Sequence, residues 1–332
     1  MSRKPPANEP RDKERIAKVM ARAGLCSRRD AEAWIVEGRV SVNGERLVSP
    51  AFTVSNSDRI EVDGKPLPGR ERTRLFLYHK PKGLVTTNRD ERGRPTIFGA
   101  LPKHLPRLMS IGRLDINSEG LLLLTNDGGL ARALELPDTG WLRRYRVRAQ
   151  GRVTQAALDR LARGITVEGI KYGPIQATLD REQASNVWLT LGLREGKNRE
   201  VRNVLRELGL SVNRLIRVSY GPFQLGELAP ASVEEVKMRV LREQLGGKVE
   251  RLAGVDFSAP LREPDDEPPQ KPPRPSPASP RLKSGSPDFR SSKTNSGKPE
   301  FGKSSRASPS SPPARGRWKS KRNVARGRGP QR

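Results

Sequence analysis

Residues 112–128 read Gly-Arg-Leu-Asp-Ile-Asn-Ser-Glu-Gly-Leu-Leu-Leu-Leu-Thr-Asn-Asp-Gly. This stretch places the carboxylate of Asp115 two residues after Arg113 and just before an apolar run that a Thr-Asn-Asp-Gly turn closes. Such a run predicts a buried strand, and an acid at the edge of a buried strand is held firmly enough to be presented to a substrate. The residue types alone leave a second interpretation open, in which Arg113 and Asp115 form an ion pair on the surface of a hairpin.

The charge of the chain points to a polyanionic partner. Its 332 residues carry a formal net charge of +27, which is far more than solubility requires. Nucleic acid is the polyanion that we expect to neutralise this charge. A membrane surface would also attract the cations, but the sequence holds no long apolar stretch, so we expect no membrane association.

The sequence predicts a cytoplasmic protein that has no transition-metal cluster of its own. It begins with Met-Ser-Arg-Lys-Pro-Pro-Ala-Asn, which is not a secretory signal. Cys26 is the single cysteine, so an intrachain disulfide is impossible, and His79 and His104 are too few to build a transition-metal cluster. Any chemistry must therefore be metal-free or bring its own metal. Because no heptad repeat or other dimerisation signal is visible, we expect a monomer.

Composition divides the chain into modules at residues 12–63 and 74–250, a Pro- and Gly-punctuated linker at 64–73 and a tail at 258–332. The tail holds 15 of the 29 prolines and 18 Lys plus Arg residues against 6 acids. A segment of this composition cannot bury enough apolar surface to fold, so it is expected to be disordered. It serves either as a basic arm that speeds and tightens association with RNA or as a solubilising extension.

The first module is expected to form two short helices followed by strands. Apolar residues recur at helical spacing over residues 14–23. Ser27 offers an N-cap hydroxyl, with Asp30 three residues further on, for a second helix that ends at Gly38. Asn43-Gly44 then predicts a tight turn between two strands.

Cations lie along the exposed positions of these two helices. Each one by itself is more often a solvated side chain, but together they suit phosphate contacts. The candidate RNA-binding residues of this module are Arg15, Lys18, Arg22, Arg28 and Arg29.

A further helix is expected late in the second module. Asn198 can cap a helix over residues 199–208, whose apolar residues fall at i, i+3, i+4 and i+7. Cations near a helix start are unfavourable unless an anion is close. Lys197, Arg199 and Arg202 nevertheless crowd this start, which favours a functional role over a merely solvated basic face.

These segments resemble a known family. Residues 23–32, Ala-Gly-Leu-Cys-Ser-Arg-Arg-Asp-Ala-Glu, and 38–44, Gly-Arg-Val-Ser-Val-Asn-Gly, resemble the small RNA-binding domain named after ribosomal protein S-four. Three further segments resemble, in order, the motifs of the RsuA/RluB-type ribosomal pseudouridine synthases. They are Tyr78-His-Lys-Pro-Lys-Gly83, Gly112-Arg-Leu-Asp115 and Glu195-Gly-Lys-Asn-Arg-Glu-Val-Arg202. The resemblance covers the chain from residue 12 to about residue 240. It departs at Leu136-Pro137, where members often carry His-Pro, and this puts only substrate detail in doubt.

The resemblance implies an isomerase that needs no cofactor, redox group or metal. Pseudouridine formation breaks the bond from uracil N1 to the ribose, turns the base and rejoins it through C5. By resemblance, Asp115 is the carboxylate required, and it either attacks the nucleotide covalently or abstracts a proton from the sugar. Arg202 matches the basic residue of the third motif, and would pair with Asp115 and stabilise its charge.

The resemblance also assigns residues around the uridine, which must leave its stack to reach the acid. Tyr145 matches the aromatic residue that stacks on the flipped base, although its strand pattern alone favours a half-buried sheet residue. Leu215 matches the aliphatic residue beneath the base, and Arg113 matches the residue that fills the vacated space. Lys80 has either a structural or a phosphate-binding role. The candidate RNA-binding set is completed by Lys80, Lys197 and Arg199.

The second module is expected to be an α+β domain with a mixed, largely antiparallel sheet and a catalytic cleft across its middle. Strand signals occur at residues 74–79, 121–125, 145–149, 175–179, 187–191 and 214–218. Helices are expected at residues 154–163, 199–208 and 233–245.

We therefore expect an rRNA uridine isomerase with rRNA as its partner. Residues 214–221 and the long basic tail favour the large-subunit (B) branch of the family, which implies 23S rRNA and, by resemblance, its 2605 site. Two alternatives stay open: a relative that modifies 16S rRNA, and a non-catalytic ribosome-assembly protein that keeps the fold. The intact Arg-Leu-Asp triplet argues against the second alternative.

Overall fold

The N-terminal part of the chain forms a small domain around its own apolar core. The computed structural model describes residues 13–261, so the tail expected at 258–332 lies outside the described residues beyond position 261. Ile16, Met20 and Ile35 are among the buried side chains of the N-terminal core. Its elements are β1 (Glu14–Arg15), α1 (Ile16–Arg22), α2 (Arg28–Val36), β2 (Val40–Val42), β3 (Glu45–Arg46), β4 (Thr53–Val54), β5 (Ile60–Val62) and β6 (Lys65–Pro66).

Local sequence signals position these elements. The Asp30 N–H donates to the Ser27 hydroxyl at 3.1 Å and the Ser27 N–H donates to the Asp30 carboxylate at 3.2 Å, which confirms the expected capping box. Asn43 and Gly44 both have positive φ, and they form the expected tight turn between β2 and β3. The first helix begins two residues later than expected, because β1 precedes it and pairs with β4.

The segment expected to be a linker, residues 64–73, is anchored at both ends. Strand β6 pairs with β5, and Leu67 packs on the N-terminal core. At the other end, the buried Thr73 donates its hydroxyl to the Asp127 carboxylate at 2.7 Å, and Arg70 contacts the same carboxylate at 2.5 Å. These partners are distant in sequence, so composition alone did not reveal them.

The remaining described chain is an α+β domain, as expected, and all six segments predicted to be strands are strands. The strands are β7 (Leu75–Lys80), β8 (Met109–Ile111), β9 (Glu119–Thr125), β10 (Arg143–Gln150), β11 (Ile165–Val167), β12 (Ile170–Tyr172), β13 (Ile175–Gln183), β14 (Asn186–Leu193), β15 (Ser211–Tyr220), β16 (Phe223–Gln224) and β17 (Val233–Glu235). The helices are α3 (Ile97–Ala100), α4 (Gly128–Glu135), α5 (Gln155–Asp159), α6 (Glu200–Glu207) and α7 (Met238–Ala253), with 3-10 turns at Pro137–Thr139 and Arg160–Arg163.

The main sheet is mixed and largely antiparallel. Its order is β13-β14-β10-β15-β9-β7-β17, with β8 beside β9 and β16 beside β15. Strands β15 and β9 run parallel, while the other neighbours described are antiparallel. At this parallel junction Gly120 has a φ of 101°, and a Cβ atom there would lie 2.3 Å from the Arg217 carbonyl oxygen. Only glycine permits this close approach, and it lies just after the loop that carries Asp115.

Apolar cores cover both faces of this sheet. The first core packs α5 and α6 on one face, and the second core packs α4 and α7 on the other. Along β9, Leu122 and Leu124 belong to the first core, whereas Leu121 and Leu123 belong to the second. Because β9 is buried on both faces, its apolar run is continuous rather than alternating.

One expected helix begins later in the chain than the sequence predicts. The sequence predicts a helix over residues 233–245, but Val233–Glu235 form the edge strand β17 on β7, and the helix begins at Met238. Arg74 donates to the Glu235 carboxylate at 2.8 and 2.5 Å, so a distant partner overrides the local helical pattern. The helix expected over 154–163 is confirmed as α5 and the 3-10 turn that follows it. Each helix within residues 13–261 is too short or too polar to cross a bilayer.

Candidate active site

Asp115 lies in the loop that leads into β9, beside the parallel junction of the sheet. Its side chain is exposed over 43% of its area, whereas the neighbouring Leu114 is buried in the first core. The Ser118 N–H donates to the Asp115 carbonyl oxygen at 2.9 Å and closes a tight turn. The loop therefore presents a carboxylate to solvent from a fixed backbone.

A buried lysine anchors this loop. Lys80 is fully buried, and its Nζ atom donates to the carbonyl oxygens of Pro81, Asp115 and Ser118 at 3.0, 3.1 and 2.9 Å. Burial lowers the pKa of Lys80 to about 8, against the opposing influence of the Asp115 and Glu119 charges. The candidate RNA-binding role of Lys80 is corrected, because an ammonium group enclosed by backbone carbonyls cannot reach a phosphate. Of the two roles that the sequence left open, the structure shows the structural one.

The segment after β7 makes two further contacts with the Asp115 loop. The buried Thr86 donates its hydroxyl to the Leu114 carbonyl oxygen at 2.7 Å. The Gly83 N–H donates to the Ile116 carbonyl oxygen at 2.8 Å. The segment after β7 is thus hydrogen-bonded to the backbone of the Asp115 loop on both sides of Asp115.

Arg199 forms an ion pair with Asp115, with 3.9 Å between its Nε atom and Oδ2 of the carboxylate. Arg199 adopts left-handed backbone angles, φ 51° and ψ 26°, and occupies the N-cap position of α6. The expected cap, Asn198, is therefore wrong: α6 begins at Glu200 and has no side-chain cap. A non-glycine residue in this region costs roughly 1–2 kcal/mol, and such strain is concentrated at functional sites.

Arg113 is exposed and does not pair with Asp115. Among residues 13–261, Arg199 is the residue that forms an ion pair with Asp115. The hairpin ion pair that the residue types left open is therefore not formed. Arg113 keeps a free approach to solvent, as a residue that contacts RNA requires.

Arg202 bridges the Asp115 loop and β15 instead of pairing directly with the carboxylate. Its guanidinium donates to the Asn117 carbonyl oxygen at 3.1 Å and to the Val212 carbonyl oxygen at 3.2 Å. Burial lowers the pKa of Arg202, while the nearby Asp115 charge opposes that shift. The expected contact is thus corrected: Arg199 makes the ion pair, and Arg202 acts on Asp115 over a longer distance.

A buried glutamate shapes the turn before α6. Glu200 is 3% exposed, and its Oε2 atom accepts a hydrogen bond from the Lys197 N–H at 3.0 Å. Burial raises the pKa of Glu200. The exposed Lys197 ammonium contacts the Glu195 carboxylate at 2.8 Å and the Lys171 carbonyl oxygen at 2.6 Å. Lys197 is thus already bound within the protein.

Tyr145 and Leu215 form an apolar surface on neighbouring strands. They are 9% and 6% exposed and belong to the same core as Leu114. Val147 on β10 lies opposite Leu215 on β15, so Tyr145, two residues earlier, shares that face of the sheet. Tyr145 is therefore a sheet residue, more deeply buried than its strand pattern alone suggested, and its stacking on a flipped base stays a prediction.

Sequence reasoning missed a cluster of three charged side chains beside the loop. Arg214 donates two hydrogen bonds of 3.0 Å to Glu119, and the Lys82 ammonium lies 3.9 Å away from the same carboxylate. Burial pushes the pKa of Glu119 upward, but the contacts of Arg214 and Lys82 outweigh it, so the pKa is lowered. The partners come from strands that are far apart in sequence, so no local pattern signals them.

The cationic surface of the N-terminal domain is smaller than expected. Arg15, Arg28 and Arg29 are exposed. Lys18 and Arg22 are half-buried, and both contact the Glu14 carboxylate, at 2.6 and 2.9 Å. Glu14 therefore neutralises part of the charge that the spacing of the cations suggested.

The arrangement around Asp115 suits a planar ligand with an anionic backbone. An exposed carboxylate can act as a nucleophile or a base, nearby guanidinium groups can bind phosphates, and the apolar surface can contact a base. Within residues 13–261, no three His, Cys, Asp or Glu side chains converge as metal ligands.

Comparison with known proteins shows the family. A profile described as RNA pseudouridylate synthase matches residues 74–207, and an S4 domain profile matches residues 14–60. A Rickettsia felis protein named "Uncharacterized RNA pseudouridine synthase" is 45% identical over 230 residues, which are 69% of this chain and 100% of that protein. The chain belongs to the RsuA/RluB-type family of RNA pseudouridine synthases.

Further similarities agree with this assignment. A Pseudomonas aeruginosa protein named "Ribosomal large subunit pseudouridine synthase B" is 39% identical over 315 residues, 91% of this chain and 79% of that protein. A solved structure described as "Crystal structure of pseudouridylate synthase" is 29% identical, with a TM-score of 0.50, over 70% of this chain and 99% of that one. This pseudouridine synthase is therefore an isomerase, and it carries an RNA-binding S4 domain at its N-terminal side.

Proposed function

We propose that this pseudouridine synthase isomerises one uridine of 23S rRNA and that Asp115 performs the chemistry. The observation that carries the proposal is the exposed carboxylate of Asp115. Lys80 holds the backbone carbonyl oxygen of this residue, and Arg199 pairs with its side chain. The large-subunit name of the Pseudomonas aeruginosa relative, which is similar over 91% of this chain, supports the choice of substrate.

The reaction breaks the bond from uracil N1 to the ribose C1′ and makes a bond from C5 to C1′, so no atom is gained or lost overall. Asp115 either attacks the nucleotide to form a covalent intermediate or removes a proton from the sugar, and both routes use its ionised carboxylate. The proton that leaves C5 when the base is rejoined ends on N1. The isomerisation thus requires from the protein one carboxylate and a surface that holds the base while it turns.

Cationic groups balance the carboxylate without enclosing it. The Arg199 side chain is 58% exposed, so it can exchange its contact with Asp115 for a phosphate of the incoming RNA. Arg202 is fixed by two backbone carbonyls, so its charge stays beside Asp115 during this exchange. In this proposal Arg199 guides the RNA, and Arg202 supplies the lasting positive charge.

Tyr145 and Leu215 are proposed to receive the flipped uracil. Extrusion of a base from its stack costs a few kcal/mol, which contacts in the pocket must offset. The two side chains supply an aromatic and an aliphatic surface on one face of the sheet. Arg113, which is exposed and lies two residues before Asp115, is proposed to occupy the space that the uridine leaves.

The target is proposed to be the 2605 site of 23S rRNA, and the enzyme is proposed to act as a monomer. The site rests on family resemblance, and the monomeric state rests on the sequence, in which no dimerisation signal is visible. The S4 domain, with its exposed Arg15, Arg28 and Arg29, would dock on structured RNA near that site. A uridine of 16S rRNA is the alternative target.

Pseudouridine mapping of both rRNAs from cells that lack the protein tests the proposal. We expect one 23S pseudouridine to disappear, and to return with the wild type and with the control variant Glu182→Gln, which alters an exposed carboxylate of β13. Asp115→Asn should not restore it. Loss of a 16S site instead would refute the proposed substrate, and restoration by Asp115→Asn would refute the proposed catalytic role.

A further inference from the structure

Three arginines line one face of β10. Arg144, Arg146 and Arg148 are exposed and alternate with buried residues of the first core. Because same-face residues of a strand repeat every two positions, their Cα atoms are roughly 6.5–7 Å apart along the strand. The three guanidinium groups therefore form a row on the face of the sheet opposite to Tyr145.

An aromatic ring lies in the same row. Trp188 on β14 is opposite Arg148 in the strand register, and the guanidinium carbon of Arg146 lies 5.0 Å from its ring centroid. Trp188 is partly exposed. Aromatic rings beside arginines are a combination that binds nucleic acid, since bases stack on the rings and phosphates bind the cations.

The packed helices leave this part of the sheet open. Helices α5 and α6 belong to the first core, on the opposite face. Helices α4 and α7 lie on the same face as the arginines, but they pack on β7 and β9 and on Tyr220 at the far end of β15. Within residues 13–261, the row is thus covered by no helix.

The charge of the row is not neutralised by its neighbours. Arg214, which lies opposite Arg148 on β15, is paired with Glu119. The Asp180 carboxylate accepts a hydrogen bond from Thr190, the residue opposite Arg146, so it offsets at most one of the three positive charges. None of the three arginines of the row forms an ion pair within the described residues. Three cations that no ion pair holds repel one another along a strand unless an anionic partner lies across them.

The positive charge of the row indicates which kind of partner binds there. The C-terminal tail carries 18 Lys plus Arg against 6 acids from residue 258 onward, so it would be repelled. A second copy of the chain would bring the same three cations. A polyanion would balance the positive charge of the three arginines, and RNA is the polyanion that this enzyme binds in every catalytic cycle.

We propose that Arg144, Arg146, Arg148 and Trp188 form a second RNA-binding surface, which holds the sugar-phosphate backbone of an rRNA segment other than the one that carries the target uridine. Since the row lies on the opposite face from Tyr145, it contacts RNA that continues around the edge of the catalytic domain. The surface thus adds affinity for long, structured RNA without taking part in the isomerisation. The proposal rests on the RNA-modifying activity, not on Asp115 or on a particular target.

The test uses the full-length protein and two 23S rRNA fragments, a short hairpin with the proposed uridine and the same hairpin with its flanking helices. The variant is Arg144→Gln, Arg146→Gln and Arg148→Gln together. Its control carries the same loss of three charges at exposed positions of α7, namely Arg239→Gln, Lys248→Gln and Arg251→Gln. Affinity is measured by fluorescence anisotropy over a salt series, and pseudouridine formation is measured at saturating RNA.

We expect the β10 variant to bind the long fragment at least about 10-fold more weakly than the control does, with a salt slope lower by about 2–3, because each lost phosphate contact removes about 0.7–0.9. The short hairpin should bind with nearly unchanged affinity, and kcat should stay at the wild-type value. Equal affinity of the two variants for the long fragment would overturn the proposal, and would leave an acidic protein as the partner of this surface. Activity of the wild type on the fragments reports separately on the proposed target, so the two proposals can fail independently.

Discussion

The Nζ atom of Lys80 donates a hydrogen bond to the carbonyl oxygen of Asp115 across 3.1 Å, and Lys80 is completely buried. The same ammonium group reaches the carbonyl oxygens of Pro81 and Ser118. A single cation thus joins the end of β7 to both sides of the turn that displays the carboxylate. The position of the Asp115 carboxylate therefore depends on a residue that never contacts RNA.

Lys80→Met should destabilise the enzyme and reduce its activity. Methionine fills similar space but leaves three carbonyl oxygens without this donor, which we expect to cost roughly 2–4 kcal/mol of unfolding free energy. At a temperature where the variant is folded, kcat should fall at least about 10-fold, because the Asp115 backbone is no longer fixed. Urea unfolding and single-turnover assays measure the two effects. Lys82→Met, at an exposed position nearby, is the control and should change kcat less; equal kcat for both variants would contradict the anchoring role.

Arg199→Gly should separate activity from stability. Glycine removes the guanidinium that pairs with Asp115 and also relieves the left-handed backbone at φ 51°. We expect the unfolding free energy to stay within about 1 kcal/mol of the wild type, because the relieved strain offsets the greater chain entropy of glycine. RNA affinity should fall measurably while the fold is kept.

Ala184→Gly is the matched control for that variant. Ala184 has the same φ of 51° in the turn between β13 and β14, far in sequence from the Asp115 loop. It should change stability as little as Arg199→Gly does but leave RNA binding unchanged. If both variants bound RNA as the wild type does, Arg199 would have no part in RNA binding.

Glu200→Gln should stabilise the enzyme at neutral and alkaline pH. Burial raises the pKa of Glu200, so the folded protein binds a proton more tightly there than the unfolded chain does. The stability contributed by this group is thus fully present below its unfolded pKa, about 4.3, and is lost as the pH rises through the raised folded value.

Glutamine keeps an acceptor for the Lys197 N–H but carries no buried charge. We therefore expect the variant to be more stable than the wild type at pH 8, with the difference shrinking toward pH 4. Thermal unfolding across this range measures it, and Glu182→Gln, at an exposed position, should show no such trend. A constant difference at all pH values would contradict the assigned shift.

Local signals in the sequence were sufficient where the interacting groups are close in the chain. The Ser27–Asp30 capping box and the Asn43–Gly44 turn each involve residues within three positions of one another, so the residue types determine the geometry. The buried strand after Asp115 was also predictable, because a continuous apolar run is what a strand covered on both faces requires.

Interactions between distant segments were not predictable in this way. The strand at Val233 forms because β7 offers an unpaired edge, and nothing in its own residues reveals that partner. The sequence predicted Arg202 as the ion-pair partner of Asp115, whereas the structure has Arg199 in that role. This difference also arises from contacts between segments that are distant in the chain. Resemblance assigned the basic motif to the site, but the left-handed turn at Arg199 decides which guanidinium faces the carboxylate.

The central claim is that the Asp115 carboxylate performs the isomerisation. Its most direct test is the amount of pseudouridine formed under single-turnover conditions by purified Asp115→Asn, with RNA binding measured on the same samples. We predict RNA affinity within a few-fold of the wild type and no detectable product, whereas Glu182→Gln should convert the RNA at the wild-type rate. Product formed by Asp115→Asn at a rate near that of the wild type would contradict the claim.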